Sequence, residues 1–238
     1  MRTMGTPEQP RQLPLKMRLG DETSLENFLF FQELQVLHEV LTRSADPAGE
    51  HFIYLHGPSG SGRSHLLQAL CQSQAAGDAL YLPLRDTCDM AAAELLEGAE
   101  FLRLLCLDDL DAICGKAEWE QALFDLYNRM REQDCRLLCS AGQAPRHLPV
   151  TLPDLRSRLA WGLTLKLPES GDEQKLAILQ FRASRLGLQL PAEVGRYIMS
   201  RATRSMAGLI AVLGQLDQAS LAQQRQLTIP FVKDTLGW

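Results

Sequence analysis

The chain has 238 residues, 45% of them apolar, which suffices for a large domain alone or together with a smaller one. Its formal net charge of −5 argues against a protein that binds nucleic acid mainly through phosphate contacts, although net charge says nothing about local basic patches. The first residues lack the apolar run of a signal peptide, and no segment approaches the roughly 18 apolar residues that span a bilayer. We therefore expect a soluble, cytoplasmic protein with no membrane partner.

The six cysteines form no close Cys-x-x-Cys pair, and their spacing gives no zinc signature. Cys106 and Cys139 lie inside apolar runs, where a free thiol behaves as a small hydrophobic side chain. We expect reduced core cysteines rather than disulfides.

The chain begins with a polar, proline-containing stretch at 1–20, which we interpret as a flexible tail. Residues 24–43 place apolar side chains at helical spacing, and a turn-forming stretch follows them. Apolar runs then alternate with helical patterns, which is typical of a parallel sheet covered on both faces. Strands are expected at 52–56, 79–84, 101–107, 136–140 and 163–167, and helices at 64–73, 90–96 and 118–132.

The strand patterns stop at residue 172, and only helical patterns follow, at 172–186, 191–202, 205–223 and 230–236. The change of class near residue 170 marks a domain boundary. The predicted architecture is α/β: a domain at 23–168 built on a parallel five-stranded sheet flanked by helices, and a small all-α domain at 169–238. Residues 1–22 would form the tail.

A glycine-rich segment between the first strand and the next helix has the spacing of a phosphate-binding P-loop. Glycines let backbone N–H groups point at phosphates, and the helix N-terminus adds favourable partial charge. The segment predicts a site for ADP or ATP, with the Ser64 hydroxyl on Mg²⁺. A simple turn between strand and helix is the alternative. The residues assigned to the nucleotide here are Pro58, Ser59, Gly60, Ser61, Gly62, Arg63, Ser64 and His65.

One residue of this loop departs from the motif, because Arg63 stands where a lysine is usual. A planar guanidinium does not replace the compact ammonium that fits between β- and γ-phosphates. We therefore expect nucleotide binding to survive and intrinsic ATP hydrolysis to be weak or absent.

A second motif is the apolar run 104–107, which ends in two carboxylates and has the Walker B form. Asp108 is predicted to hold Mg²⁺ through water, and Asp109 occupies the position of the acid that activates the attacking water. Solvated acids that cap the next helix are the alternative. That alternative explains poorly why the pair follows the next-but-one strand after a P-loop.

Together these motifs resemble AAA+ ATPases, and within that class the DnaA branch and its Hda group, over nearly the whole chain. The most specific stretches lie at 152–162 and 227–237, with further support at 62–70 and 105–113. Hda-like proteins also have arginine for the P-loop lysine, so Arg63 fits the resemblance. The α-helical domain at 169–238 would then be the AAA+ lid.

The resemblance implies roles for several single residues. Arg158 matches the arginine finger, which acts on the nucleotide of a neighbouring subunit; Arg156 fits that sequence context less well. A surface arginine on a helix is the alternative reading of Arg158. Arg204 matches sensor II, which reaches the phosphates from the lid. Ser140 lies near the expected sensor I.

The resemblance also places the segment around 25–28 near the adenine. Leu25 and Phe28 are the residues concerned, and for Phe28 a role in the core is an equal alternative.

The N-terminal tail contains a stretch that resembles the sliding-clamp-binding motif. Gln12 would hydrogen-bond at the rim of the clamp pocket, and Leu13, Leu15 and Met17 would fill it. Lys16 departs from the proline often found in the motif, and an unstructured leader is the alternative.

The resemblance implies a negative regulator of replication initiation. It would dock on the DNA-loaded β clamp of DNA polymerase III, contact DNA only indirectly, and stimulate ATP hydrolysis by DnaA. The neighbour that receives Arg158 would be DnaA or another copy of this chain. A DnaA-like initiator or a helicase loader acting directly on DNA is an alternative, but the chain ends at Trp238, so we expect no helix-turn-helix reader. A self-sufficient ATPase is the other alternative, which Arg63 disfavours.

Overall fold

A computed structural model describes residues 23–43, 49–133 and 135–238 of the chain. Its centre is a five-stranded parallel sheet with the strand order β2-β3-β4-β1-β5. The predicted parallel sheet is confirmed. The strands are β1 at Phe52–His56, β2 at Ala79–Pro83, β3 at Leu104–Asp108, β4 at Arg136–Ala141 and β5 at Leu163–Lys166.

The α-helices flank the sheet in the first part of the chain and pack on one another in the second. They are α1 at Gln35–Arg43, α2 at Arg63–Gln72, α3 at Leu84–Thr87, α4 at Ala92–Leu95, α5 at Ala117–Glu132, α6 at Pro153–Leu159, α7 at Asp172–Arg185, α8 at Ala192–Arg201, α9 at Met206–Gln223 and α10 at Ile229–Leu236. None of the helices within the described residues is long and apolar enough to cross a membrane.

The sheet is covered on both faces, which is why its inner strands are apolar runs. One cluster packs helices α1 and α2 on the sheet through residues such as Leu41 and Leu66. The other packs α5 on the sheet through residues such as Leu126 and Met130. Every residue of β3 is buried, including Asp108 at its end. The carboxyl ends of the parallel strands therefore meet at one edge, where the P-loop and the two acids come together.

The helical domain has a core of its own, in which Phe231 is wholly buried beside Leu213 and Leu216. Two caps fix helix starts here: the Ser205 hydroxyl accepts from Gly208 N, and the Thr228 hydroxyl accepts from Phe231 N. The predicted change from α/β to all-α structure near residue 170 is confirmed.

Two predicted elements differ from the structure. The helix expected at 24–43 begins only at Gln35; short 3₁₀ turns occupy Leu25–Asn27 and Gln32–Leu34, and residues 28–31 are not helical. Consecutive large apolar residues at 28–31 do not fit a one-sided helix, and Phe28 and Phe30 instead pack together with ring centroids 4.6 Å apart. The strand expected at 101–107 begins at Leu104, because Gly98 in the left-handed region leads into a 3₁₀ turn at Ala99–Phe101.

The cysteine side chains are free thiols, and Cys106 and Cys139 are buried in the sheet. Burial raises the pKa of Cys139, so this thiol is neutral and acts as a packing group.

Candidate nucleotide site

The glycine-rich loop runs from the end of β1 into the first turn of α2, and three of its glycines are required by the local geometry. A Cβ on Gly57 would lie 2.2 Å from the Leu167 carbonyl oxygen. Gly60 and Gly62 have φ angles of +80° and +97°, a region that other residues avoid. A Cβ on Gly62 would also lie 2.5 Å from the ring of Phe28. The loop therefore follows a path that leaves its backbone open toward the N-terminus of α2.

A cavity of about 900 Å³ lies above this loop, between the sheet domain and the helical domain. Its size is within the range of sites for small molecules and cofactors. The side chains that line it come from four parts of the chain: Asn27, Phe28, Leu29 and Phe31 from the N-terminal segment; Ser59, Gly60, Ser61, Gly62, Arg63, Ser64 and His65 from the loop and α2; Arg85 and Asp109 from the strand ends; and Gln174, Ile178, Arg182, Met206, Ala207 and Ile210 from the helical domain.

Two buried polar atoms of the loop fit an anionic ligand. Ser61 Oγ and Arg63 Nη1 are buried and have no hydrogen-bond partner among the described residues. Buried donors are normally satisfied, so an unpaired guanidinium N–H at the floor of a cavity indicates a place for an acceptor. Together with the helix N-terminus, these donors suit the phosphates of a nucleotide.

Asp108 is almost completely buried at the end of β3 and accepts hydrogen bonds from two hydroxyls. Tyr81 Oη donates to it at 2.7 Å, and Ser140 Oγ donates to its other oxygen. Burial, with the neighbouring Asp108 charge, raises the pKa of Tyr81, so the phenol remains a donor. Ser140 thus contacts the acid pair directly, which agrees with its predicted place beside the site.

The donor set is compatible with Mg²⁺ held largely by phosphates and water. The Ser64 hydroxyl is exposed in the first turn of α2. The Asp108 carboxylate lies at the end of β3. In the described part of the chain, no three His, Cys, Asp or Glu side chains cluster closely enough to hold a metal by themselves. Mg²⁺ characteristically takes one or two protein ligands and completes its shell with phosphates and water.

Asp109 is engaged by two arginines. Arg63 Nη2 lies 3.2 Å from Asp109 Oδ1, and Arg85 Nε lies 3.0 Å from Asp109 Oδ2. The backbone of Asp109 is in the left-handed region, at φ 57°, and its N–H donates to Ser140 Oγ at 3.1 Å. Both carboxylate oxygens that could take a proton from water therefore already accept from a guanidinium.

Arg85 was not predicted to lie at the site. Hydrogen bonding to Asp109, with the charge of that carboxylate, raises the pKa of Arg85, which remains a permanent cation at the site. Its position in the sequence could have indicated this, because Arg85 lies two residues after the end of β2, and β2 neighbours β3 in a parallel sheet. Arg85 therefore reaches the same sheet edge as the two acids.

His65 lines the cavity but turns its ring toward the N-terminal segment. Its Nε2 lies 2.9 Å from the Ser24 carbonyl oxygen, and its ring centroid lies 5.7 Å from that of Phe28. Burial lowers the pKa of His65, so the neutral ring donates from Nε2. Leu25 was predicted to lie near the adenine but is partly buried against the sheet core and does not line the cavity, whereas Phe28 both borders the cavity and contacts that core. Both roles considered for Phe28 are thus compatible with its position.

The predicted sensor arginine of the helical domain is not brought to the cavity. Arg204 is exposed and lines a separate depression with Asp172 and Arg196. Among the described residues of this domain, the basic side chain that lines the cavity is Arg182, on α7, which was not predicted from the sequence. Its Nη1 lies 3.4 Å from the Asn27 carbonyl oxygen.

The two candidate finger arginines on α6 differ clearly. Arg156 donates from Nη2 to the Val150 carbonyl oxygen in its own chain. Arg158 instead lies over the ring of Trp161, with Cζ 4.3 Å from the ring centroid, and borders no part of the nucleotide cavity. No acidic side chain in the described part of the chain pairs with Arg158.

The predicted clamp-binding residues Gln12, Leu13, Leu15 and Met17 lie outside the described residues.

A parallel sheet with a P-loop after its first strand, paired acids after its third, and a helical domain closing over the cavity define a P-loop protein of the AAA+ class. Residues 87–166 match the family model of the bacterial DnaA ATPase domain, and residues 172–236 match that of the Hda lid domain. The chain therefore belongs to the DnaA-related AAA+ proteins and has a lid of the Hda type.

Solved structures with the same fold include two DnaA proteins and a Holliday junction branch-migration motor. Domain III of DnaA from Thermotoga maritima has a TM-score of 0.72 at 20% identity, with 92% of this chain and 97% of that one covered. AMPPCP-bound DnaA from Aquifex aeolicus has a TM-score of 0.70 at 21% identity, with 87% and 69% covered. The Thermotoga maritima RuvB branch-migration motor has a TM-score of 0.64 at 16% identity, with 90% and 71% covered. At such identities the likeness establishes the fold.

Proposed function

We propose that this protein is a negative regulator of replication initiation that stimulates ATP hydrolysis by DnaA. It would hold ADP or ATP with Mg²⁺ in its own cavity and act from the DNA-loaded β clamp in the cytoplasm. Its catalytic contribution would be Arg158, inserted into the nucleotide site of DnaA. The observation that supports this most is the place of Arg158 on α6, half-buried against aromatic rings, apart from its own cavity and paired with no acid of the described chain.

An arginine supplied in trans acts on charge that develops in the transition state. The guanidinium would approach the γ-phosphate of the neighbouring nucleotide and stabilise the charge spread over its oxygens. Such a residue must be free of bonds to acids or backbone of its own chain and fixed in direction, since it has to enter a second molecule. Arg158, half-buried at the end of α6, lies against aromatic rings and pairs with no acid of the described chain. Arg156 is more exposed, but its guanidinium donates to the Val150 carbonyl oxygen.

The chain's own site suits retention of a nucleotide better than turnover. Arg63 would donate to the phosphates, and the loop amides would surround them. Bound Mg²⁺ would neutralise phosphate charge. Asp109 is poorly placed as a base, because Arg63 and Arg85 occupy both of its carboxylate oxygens. We infer that the bound nucleotide sets the position of the lid and that hydrolysis by this chain alone is slow.

The decisive experiment measures ATP hydrolysis by DnaA with the β clamp loaded on DNA. The unmodified protein, Arg158→Ala and Arg156→Ala are compared at matched concentrations. We expect Arg158→Ala to abolish the stimulation and Arg156→Ala to retain it within about twofold. The loss expected for a finger arginine is about 10³-fold in turnover. Full stimulation by Arg158→Ala would refute the role of this residue.

The tail is tested separately by capture on immobilised clamp. Gln12→Ala combined with Leu15→Ala should abolish capture, because the pair removes the rim hydrogen bond and one apolar anchor. Arg2→Ala, in the same tail but outside the motif, is the matched control. Undiminished capture of the double variant would rule out the motif.

A further inference from the structure

At the end of α6, Arg158 contacts Trp161, an aromatic residue that does not line the nucleotide cavity. Trp161 is 62% exposed, and Arg158 Cζ lies 4.3 Å from the centroid of its ring. Behind the arginine lies a second ring: Tyr127, on α5, is buried and has its centroid 5.9 Å from the same Cζ atom. The guanidinium thus contacts a buried ring and an exposed one.

The position of Trp161 is fixed by the backbone on both sides. Its N–H donates to the Arg158 carbonyl oxygen at 3.0 Å, which sets the spacing of the two side chains. The next residue, Gly162, approaches β1 so closely that a Cβ would lie 2.5 Å from the Phe52 carbonyl oxygen. The backbone therefore fixes the point from which the indole extends beside the arginine.

The buried ring is fixed as well. Tyr127 stacks on Phe52, with centroids 4.2 Å apart and planes 22° from parallel. The other end of α6 is held by Glu120, which accepts hydrogen bonds from the N–H groups of Thr151 and Leu152. The helix, both rings and the glycine thus form a rigid base beneath a single long cationic side chain.

We propose that Trp161 is a positioning residue for Arg158. Its ring face holds the guanidinium extended along the surface, so that the arginine enters the partner site already ordered. A free arginine loses rotamer freedom when it is immobilised, and a cation–π contact made beforehand reduces that loss. This inference depends on the proposed function, since it assigns no separate activity to Trp161.

The test uses full-length Trp161→Phe, Trp161→Leu and Trp161→Ala, with DnaA hydrolysis measured against regulator concentration on clamp-loaded DNA. A positioning role predicts a lower maximal rate with an unchanged half-maximal concentration. Trp161→Phe, which keeps a ring, should stay within about twofold, and Trp161→Leu should fall about three- to tenfold, the range of a cation–π contact. Phe101→Ala removes an aromatic side chain that is 77% exposed elsewhere and should change neither quantity.

Three results would overturn the inference: full maximal stimulation by Trp161→Leu, an equal loss in Trp161→Phe, or a loss confined to the half-maximal concentration. The last would make Trp161 an ordinary contact with the partner. Arg158→Ala in the same assay separates the two claims. If it stimulates fully, the proposed function of Arg158 fails; if it is inactive while Trp161→Leu is fully active, only the positioning role fails.

A second measurement needs no DnaA. In the isolated protein, NMR should show ring-current shifts of the Arg158 δ-protons that disappear in Trp161→Leu and persist in Trp161→Phe. Unshifted resonances in the unmodified protein would contradict the stack itself.

Discussion

Arg63 of the P-loop and Asp109 after β3 form an ion pair in which Nη2 lies 3.2 Å from Oδ1. The sequence motifs predict the first residue at the position of the phosphate lysine and the second at the position of the acid that activates water. The side chains are only 10% and 19% exposed, so water screens their interaction weakly. Arg85 completes the arrangement from the other side of the carboxylate. Arg63 can thus donate to a nucleotide from Nη1 while its Nη2 occupies an oxygen of Asp109.

This relationship predicts that hydrolysis can be recovered by removing both guanidinium groups. Arg63→Lys combined with Arg85→Ala should raise single-turnover hydrolysis of ATP by the isolated protein at least about tenfold, in the range of general-base contributions. Each single substitution should have a smaller effect, because one arginine still holds Asp109. The control adds Asp109→Asn to the double variant. A gain that survives this third substitution would show that Asp109 is not the group released.

The path of the loop predicts a matched pair of glycine variants. Gly62→Ala should lower nucleotide affinity at least about tenfold, because its Cβ would lie 2.5 Å from the Phe28 ring at the cavity wall and its φ of +97° disfavours alanine. Gly77→Ala also places alanine at a positive φ, +90°, but the new methyl group would have open space around it. It should cost about 1 kcal/mol of stability and leave affinity unchanged, as measured by calorimetric titration and denaturant unfolding. Equal affinity loss in both variants would attribute the effect to stability alone.

What the sequence predicted correctly was encoded within short stretches. The P-loop at 57–64 and the acids at Asp108 and Asp109 are local motifs, and their meeting at one sheet edge follows from parallel strand order. What it missed depends on tertiary geometry. Arg85 pairs with Asp109, and Arg182 lines the cavity. Hydrophobic periodicity predicts neither contact, because each depends on how a strand end or a helix face packs in the folded protein.

The N-terminal segment illustrates the same limit in another way. Leu34, Leu37 and Leu41 have helical spacing and are buried, so the helix was predicted from real core positions. The preceding residues share that composition but follow the rim of the cavity instead, where Phe28 contacts the P-loop glycine. Hydrophobic periodicity reports burial, and it cannot tell a core contact from a contact with a ligand site.

The neutral state of His65 predicts a pH dependence of stability. Burial lowers its pKa in the folded protein below the usual 6.5, so the folded state binds this proton less readily than the unfolded chain. The contribution of neutral His65 to the free energy of unfolding is therefore fully present above about pH 6.5 and is lost as the pH falls through the folded pKa. Denaturant unfolding between pH 5 and 8 should show this loss in the unmodified protein. His65→Gln keeps a side-chain donor but does not titrate, so its free energy of unfolding should fall less steeply with decreasing pH. If both proteins gave the same pH profile, His65 would be excluded as the cause of the loss.

Glu120 provides the last prediction, which concerns the support of the finger helix. It is 1% exposed and accepts from Gly115 N at 2.7 Å, from Leu152 N at 2.7 Å and from the Thr151 hydroxyl at 2.6 Å. Burial alone would raise the pKa of Glu120, but the hydrogen bonds from Thr151, Gly115 and Leu152 outweigh it and set the pKa below its usual value. Its stabilisation is therefore present at neutral pH and is lost as the pH falls through the folded pKa.

Glu120→Gln should reduce the free energy of unfolding by about 2–3 kcal/mol at pH 7, because an amide loses the charge-assisted bonds and brings its own N–H₂ against backbone donors. Glu118→Gln, two residues earlier on the exposed face of α5, makes the same chemical change and should be nearly neutral. Since Leu152 caps the N-terminus of α6, the Glu120 variant should also weaken stimulation of DnaA through a less ordered Arg158. A free energy of unfolding equal to that of the Glu118 variant would mean that the donors from Gly115, Thr151 and Leu152 are satisfied without the carboxylate charge.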